Sequence, residues 1–365
     1  MSKNAPFPDP VPSTTAVSAP TGDRPKPKRR LWAPIVSLLL LSPFVAELLL
    51  GDIALTAVGV VVVLVPLYGC GALLIRELAR RTGRGWPAIA LLAGAFGVLE
   101  EGFATMSLFN PDFAGYRLLD EAPLPFLGMG AHWTVYVLSL HVIWSICTPI
   151  ALAETLFPDR ARVPWLRTRG LVVTSVVFLL TVALYWAGTF YTAGAGAGVP
   201  VFRPSASQMI ATAVTAVVLV LAAFAVRPRA VPSRTPGSAP SPLPGFVPSP
   251  VLVLAGSLVV TSVVRQSAEQ LSGWVSVVVC LTVEVAAVAA LRWYGRRREW
   301  GPAHVFAAAS GAVVAYAWSS FFLTPIAGTT DPVVARTGNI LFALVAVVIL
   351  ALAARRLRGA TTARP

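Results

Sequence analysis

Residues 86–111 read WPAIALLAGAFGVLEEGFATMSLFNP, the length of one membrane crossing with two adjacent carboxylates, Glu100 and Glu101, inside it. A helix needs roughly 20 apolar residues to cross about 30 Å of hydrocarbon. A charge at the bilayer centre costs about 2.5–3.5 kcal/mol on the gentlest insertion scales, so two in succession require a neighbour that offsets the cost. At about 100° per residue, Ala90, Gly94, Gly97, Glu101 and Thr105 share one stripe, and Glu100 lies beside it with Ala93, Ala104 and Ser107. The opposite face carries Leu92, Phe96, Leu99, Phe103 and Met106. Small residues let helices approach closely, and large apolar ones suit lipid. Both glutamates are therefore expected to point into a helix bundle, in the outer half of the membrane, with the large apolar side chains toward lipid.

The same reading carried outward finds ten stretches of spanning length: 31–50, 53–75, 86–109, 133–154, 170–191, 208–226, 248–264, 274–294, 303–326 and 339–354. Composition agrees, with 56% hydrophobic residues, 12% charged and a mean hydropathy of +0.73, which is outside the range of soluble cores. The expected fold is all-α, a polytopic helical membrane protein of about ten transmembrane helices. Residues 1–30, rich in Pro, Ser and Thr and closing on Lys26, Lys28, Arg29 and Arg30, read as a disordered tail. A first half of six spans covers 31–226, and a Pro/Ser-rich linker covers 227–250. A second half of four spans covers 251–354, and a basic tail covers 355–365.

Where the positive charge lies decides the partner. With ten spans, 25 of the 29 Lys and Arg fall on the side that holds both termini, leaving only Arg117, Arg203, Arg265 and Arg336 on the other. The positive-inside rule puts both termini in the cytoplasm. The net charge of +13 is spread over separate short segments facing anionic headgroups, so the expected partner is the lipid bilayer and not nucleic acid. Arg outnumbers Lys 26 to 3 in a sequence rich in Ala, Val, Gly and Pro. That bias is typical of GC-rich bacterial genomes, and the expected location is a bacterial plasma membrane. Cys70, Cys147 and Cys280 sit in apolar runs at no metal-like spacing, so neither a disulfide framework nor a metal site is expected. No Walker A, dinucleotide fingerprint, HExxH or GxSxG occurs, and no cofactor is expected.

Two segments look alike. Span two ends LIRELARRTGRGWPAIA and span eight ends ALRWYGRRREWGPAHVF, and the spans that follow close on SLFNP and FLTP. This suggests a parallel repeat of spans 1–4 and 7–10. The copies are unequal, since the positions matching the glutamates fall near Val314 and Ala315.

A partner for the acids comes from the fourth span, where Thr134, His141, Ser145 and Thr148 share a face. His141 is eight residues from the outer end, about 12 Å at 1.5 Å per residue, close to the depth of the glutamates. One proton shared across Glu100, Glu101 and His141 is chemically reasonable. Ser145, Thr148 and Glu284, the last near the middle of span eight, are the candidate substrate contacts. Glu47, near the outer end of span one, reads as a solvated interfacial acid. Glu77 with Arg80 and Arg81 reads as a surface ion pair.

EEGFAT at 100–105 resembles the first motif of the CAAX-protease and bacteriocin-processing superfamily of intramembrane proteases. The resemblance implies a glutamate general base at Glu100 or Glu101, with His132 or His141 positioning water or the oxyanion. The sequence departs from that pattern at Thr105, where a basic residue is usual, and at Gly128 and Val137, where an aromatic is. It also lacks a second histidine motif in a later span, since His304 opens span nine at its cytoplasmic end. The pattern RELARRTGRGW…EEG…SLFNP is similar to that of uncharacterised multi-pass proteins of actinobacteria. Three functions follow: a proton-linked transporter or permease for a small solute, an intramembrane hydrolase, or a non-catalytic membrane component. Oligomeric state is left open.

Overall fold

Proline and glycine punctuate the apolar runs, and helices start and stop at them. The computed structural model describes residues 32–192, 202–228, 245–329 and 331–362. Among these residues ten long helices follow one another: α1 (Ala33–Leu48), α2 (Leu55–Arg81), α3 (Trp86–Ala104), α4 (Ala131–Leu156) and α5 (Thr168–Thr192), then α6 (Ala206–Ala225), α7 (Pro250–Gln270), α8 (Gly273–Tyr294), α9 (Pro302–Phe322) and α10 (Pro332–Thr362). Pro87, Pro250, Pro302 and Pro332 each stand at a helix start, where the missing N–H has no intrahelical partner to lose. Ser249 and Ser205 cap α7 and α6 with their hydroxyls. A short β-hairpin pairs Pro123–Leu124 with Met129–Gly130 between α3 and α4.

Nine of these helices are long and apolar enough to cross a membrane, and α1 is a shorter apolar helix. Several bounds differ from the sequence reading, three of them for a clear reason. The first span, read as 31–50, is helical only to Leu48, because Gly51 (φ 96°) turns the chain and bonds the carbonyls of Glu47 and Leu48. The seventh and tenth, read as 248–264 and 339–354, run on to Gln270 and Thr362. Charged residues end a hydropathy window, but an α-helix continues through Arg and Glu without penalty. The tail expected at 1–30 and most of the linker expected at 227–250 lie outside the described residues.

Burial separates the helices into a centre and a shell. In α3 and α4 the share of the apolar window buried is 67%, against 11–22% in α5 to α8. The helix α4 is central, packing on α1, α3, α8, α9 and α10, while α7 pairs with α9 and α6 with α3. This overturns the expected lipid face of the third span. Leu92, Phe96 and Met106 are buried, because α3 is enclosed by other helices and its large residues fill the core they make. The exposed apolar side chains instead belong to the shell, for instance Leu179, Leu184, Leu221, Val285 and Val347.

The arginine-rich end is closed by a clamp that the sequence reading took for a surface pair. Glu77 and Arg76 are fully buried. Arg76 bonds Glu154 on α4 at 3.1 Å, Glu77 at 2.9 Å, and the carbonyls of Arg160, Ala161 and Val163 at 3.0 Å. Glu77 in turn accepts the N–H groups of Trp165 and Leu166. The Trp165 ring covers the Arg76 guanidinium at 3.4 Å, and Arg80 holds Glu154 through both carboxylate oxygens. The loop after α4 folds back over α2, so these residues are covered where an isolated helix would expose them.

Candidate functional site

Among the described residues four helices carry a π-helical turn, and each such turn holds a polar side chain of one cluster. The turns are Phe44–Leu48 in α1, Val65–Gly69 in α2, Glu100–Ala104 in α3 and His141–Cys147 in α4. Widening the ladder from i→i+4 to i→i+5 bonds re-aims the side chains and leaves carbonyls free to accept elsewhere. Ser42 takes two such carbonyls, with its Oγ 2.6 Å from Ser145 O and 3.1 Å from Tyr68 O. It thereby ties the π-turns of α2 and α4 together. Prolines stand at or beside three of the turns (Pro43, Pro66 and Pro149) and cannot supply the N–H that a regular ladder needs.

The cluster centres on His141. Its Nε2 lies 2.7 Å from Glu101 Oε1 and 2.8 Å from Glu100 Oε2, and all three residues are between 4% and 6% exposed. One ring nitrogen carries one hydrogen, and its direction suits Glu101. Glu100 Oε2 is therefore buried within ion-pair distance but without a hydrogen bond. The two carboxyl groups lie within hydrogen-bonding reach of one another. Glu101 Oε2 accepts from Thr105 Oγ1 at 3.0 Å and from Ser107 Oγ. On the far side of the ring, Ser145 Oγ meets Nδ1 at 3.3 Å.

The backbone is bent to allow this. Met106, just past the π-turn of α3, has φ 60°, a conformation that non-glycine residues adopt at a cost and mostly at functional sites. It reverses the chain so that Ser107, fully buried, faces back to Glu101. Trp133 Nε1 donates to the same Ser107 Oγ at 2.9 Å. Aromatic rings fix the imidazole plane: Tyr68 stacks on it at 6.0 Å and Phe96 meets it edge-on at 5.7 Å. Gly97 makes room, since a Cβ there would lie 3.0 Å from His141 Cβ. Trp144, three residues on, stacks on Tyr316 at 4.2 Å and donates to Ala312 O, anchoring α4 to α9.

Of the six residues expected at a site, the fold brings together Glu100, Glu101, His141 and Ser145. Thr148 is buried on α4 beyond Ser145 and makes none of the triad's bonds. Glu284 is not brought to the triad. It neighbours Ser139 and lines a groove of about 550 Å³ along α8 with Val288, Arg292 and Arg296. Three participants were passed over in the sequence: Tyr68, Trp133 and Glu47. Glu47, read as solvated, instead faces the Tyr68 hydroxyl. Nothing in a single sequence pairs a tyrosine on one span with a histidine on another.

One donor atom each from Glu100, Glu101 and His141 lies within 4.8 Å of the others, so the three could converge on a metal ion. Ligands about 2.1 Å from a shared ion stand roughly 3.0–3.4 Å apart. The 2.7 and 2.8 Å separations here are shorter than that.

An all-α bundle of apolar helices with a polar cluster enclosed at its centre is a multi-pass membrane protein. Residues 36–364 match an uncharacterised membrane protein family, and the chain belongs to that family. No curated protein and no solved structure matches it. The likeness of EEGFAT to the CAAX-protease motif has no counterpart in these comparisons.

Proposed function

We propose that the chain is a proton-linked transporter of a bacterial plasma membrane, with both termini cytoplasmic and with Glu100, Glu101 and His141 as its proton-binding site. The observation that carries this reading is a single imidazole nitrogen within 2.8 Å of two enclosed carboxylates. With two protons over the three groups the cluster is neutral, and with one it carries a net negative charge. A buried uncompensated charge is costly, so release of a proton favours entry of another cation. That exchange is the elementary step of proton-coupled transport, and it suits a small cationic solute. Ser145 and Thr148 extend the polar face of α4 and are assigned to solute contact, whereas Glu284 has no part in the step. The repeat of spans 1–4 and 7–10 belongs to the same reading, with the acids kept in one copy.

The test is solute-driven acidification in proteoliposomes of phosphatidylethanolamine and phosphatidylglycerol, screened over small organic and inorganic cations. Glu101→Gln is expected to abolish it, and undiminished flux in that variant would remove the triad as coupling site. A glutamate-dependent hydrolase is the second reading, favoured by the 2.7 Å Glu101–His141 contact, since a carboxylate paired to imidazole also activates water. It predicts peptide or ester cleavage in detergent that Glu101→Gln removes, with no solute-linked proton movement.

A further inference from the structure

We infer that the cationic solute of the triad is a first-row divalent metal ion of the zinc class, bound by Glu100 Oε2, Glu101 Oε1 and His141 Nε2 in exchange for two protons. The inference rests on the proton-binding reading above and names its solute.

One donor atom from each residue faces a common point. Glu100 Oε2 and Glu101 Oε1 lie 2.8 and 2.7 Å from His141 Nε2, and the three atoms lie within 4.8 Å of one another. The other polar atoms of His141 and Glu101 are held from outside. Ser145 Oγ meets His141 Nδ1 at 3.3 Å. Glu101 Oε2 accepts from Thr105 Oγ1 at 3.0 Å and from Ser107 Oγ, which Trp133 Nε1 fixes at 2.9 Å. Metal-binding imidazoles and carboxylates carry such outer partners, which set the ring tautomer and aim the free atom. A proton on Nδ1, directed at Ser145 Oγ, leaves the Nε2 lone pair turned to the carboxylates.

The observation that points to a ligand is Glu100 Oε2. Its side chain is 5% exposed, and this oxygen has no hydrogen-bond partner among the described residues. Buried acceptors are rarely left so, and this one is aimed at the point where the other two donors meet.

Charge and donor type select the ion. Among the described residues His141 is the only basic side chain within ion-pair distance of either carboxylate. Two ionised carboxylates beside a neutral imidazole carry two negative charges. One divalent ion cancels both, as two protons do, whereas a monovalent ion leaves a buried charge uncompensated. Mg²⁺ and Ca²⁺ take about six or more ligands, chiefly oxygens. Two carboxylate oxygens, one imidazole nitrogen and one open position suit the four-coordinate shell of Zn²⁺ and its first-row neighbours. A shell with an open position can exchange its ion, as a carrier must. Cysteine spacing bears only on cysteine sites, and the donors here are acids and an imidazole from two helices.

Uptake parts the donors by a few tenths of an ångström, from 2.7 and 2.8 Å to roughly 3.0–3.4 Å. Glu100 Oε2 has no hydrogen bond to break, and the bond of Glu101 Oε1 is to the Nε2 proton that leaves. In the exchange Nε2 gives up one proton and the carboxyl pair the other. The ion accepts three lone pairs, and its oxidation state does not change.

The test uses the full chain in detergent, freed of metal with EDTA and titrated with Co²⁺, whose visible absorption intensifies in a four-coordinate site. The wild-type protein is expected to develop that band at one ion per chain, and Zn²⁺ to bleach it. Glu100→Gln and Glu101→Gln should each weaken Co²⁺ binding about a hundredfold, and Ser145→Ala about tenfold with the band retained. Glu100→Gln breaks no hydrogen bond of Oε2 and serves if Glu101→Gln does not fold. Asp120→Asn, in an exposed ion pair, should leave binding unchanged. In the proteoliposomes above, Co²⁺ should drive acidification that Glu101→Gln abolishes. Binding that is absent, or equally strong in both glutamine variants, would overturn the metal site. Acidification by an organic cation, abolished in Glu101→Gln, would then still uphold the proton-binding reading. A triad-dependent band without acidification by any cation would overturn proton-linked transport, and with it the ion's role as solute.

Discussion

At its arginine-rich end the bundle buries Arg76, Glu77 and Glu154 with Arg80 beside them, and near the opposite end it buries two carboxylates against one imidazole. In the first cluster the two arginines face two glutamates, and the charges balance. All three nitrogens of Arg76 are engaged, a tryptophan ring covers its face, and Glu77 closes on backbone N–H groups. In the second, one imidazole faces two carboxyl groups, and Glu100 Oε2 has no hydrogen bond. The clamp is saturated, whereas the triad leaves one buried carboxylate oxygen without a hydrogen bond, and it is the triad that we propose exchanges a proton. Burial of charge alone does not separate these cases. The unfilled acceptor beside a titratable partner does.

Breaking the clamp should cost most. Arg76→Ala leaves Glu77 and Glu154 buried without their partner, and losing one member of a buried pair costs about 3–5 kcal/mol. A large drop in melting temperature in detergent, or no folded protein, is the expected result. Joint replacement of Arg76 by Met and Glu154 by Leu should recover part of the loss. Near the triad, Gly102→Ala places a Cβ 2.5 Å from Thr212 Cγ2, and overpacking of this kind costs about 1–3 kcal/mol. It should lower the melting temperature by wedging α6 from α3. Glu101→Gln sharpens the contrast. It keeps the shape and most bonds, so stability should fall by only about 1 kcal/mol, while solute-linked acidification disappears. A clamp-sized loss of stability there would make the triad a second structural clasp. Ser107→Ala removes one donor to Glu101 and the acceptor of Trp133, with an expected cost of about 1 kcal/mol. Asp120→Asn is the reference point. Its ion pair with Arg117 has side chains 50% and 72% exposed, and melting should not change measurably.

The spans were legible because hydrophobic length is a local property. Each of the ten helices corresponds to one of the ten apolar runs, with the largest shifts where charged residues continue a helix past its apolar part, as at Gln270 and Thr362. The nearness of Glu101 to His141 could also be anticipated, by counting 1.5 Å per residue from the ends of two neighbouring spans. The faces could not. An ideal 3.6-residue period placed Leu92 and Phe96 toward lipid, yet both are buried, because enclosure depends on how many other helices surround α3. The π-turns broke the period where it mattered, at 100–104 and 141–147. Glu77 was read from its own helix, and the loop that buries it comes from residues 157–167, across the fold.

By itself the sequence determined that this is a bundle of apolar helices with two acids sunk in the third, since transfer from water to hydrocarbon acts residue by residue and needs no partner. Only the tertiary structure decided which of its buried charged groups are fully hydrogen-bonded and which are not. Hydrogen bonds and ion pairs form across helices tens of residues apart, and their balance is set by angles and distances of a few ångströms that no local pattern encodes.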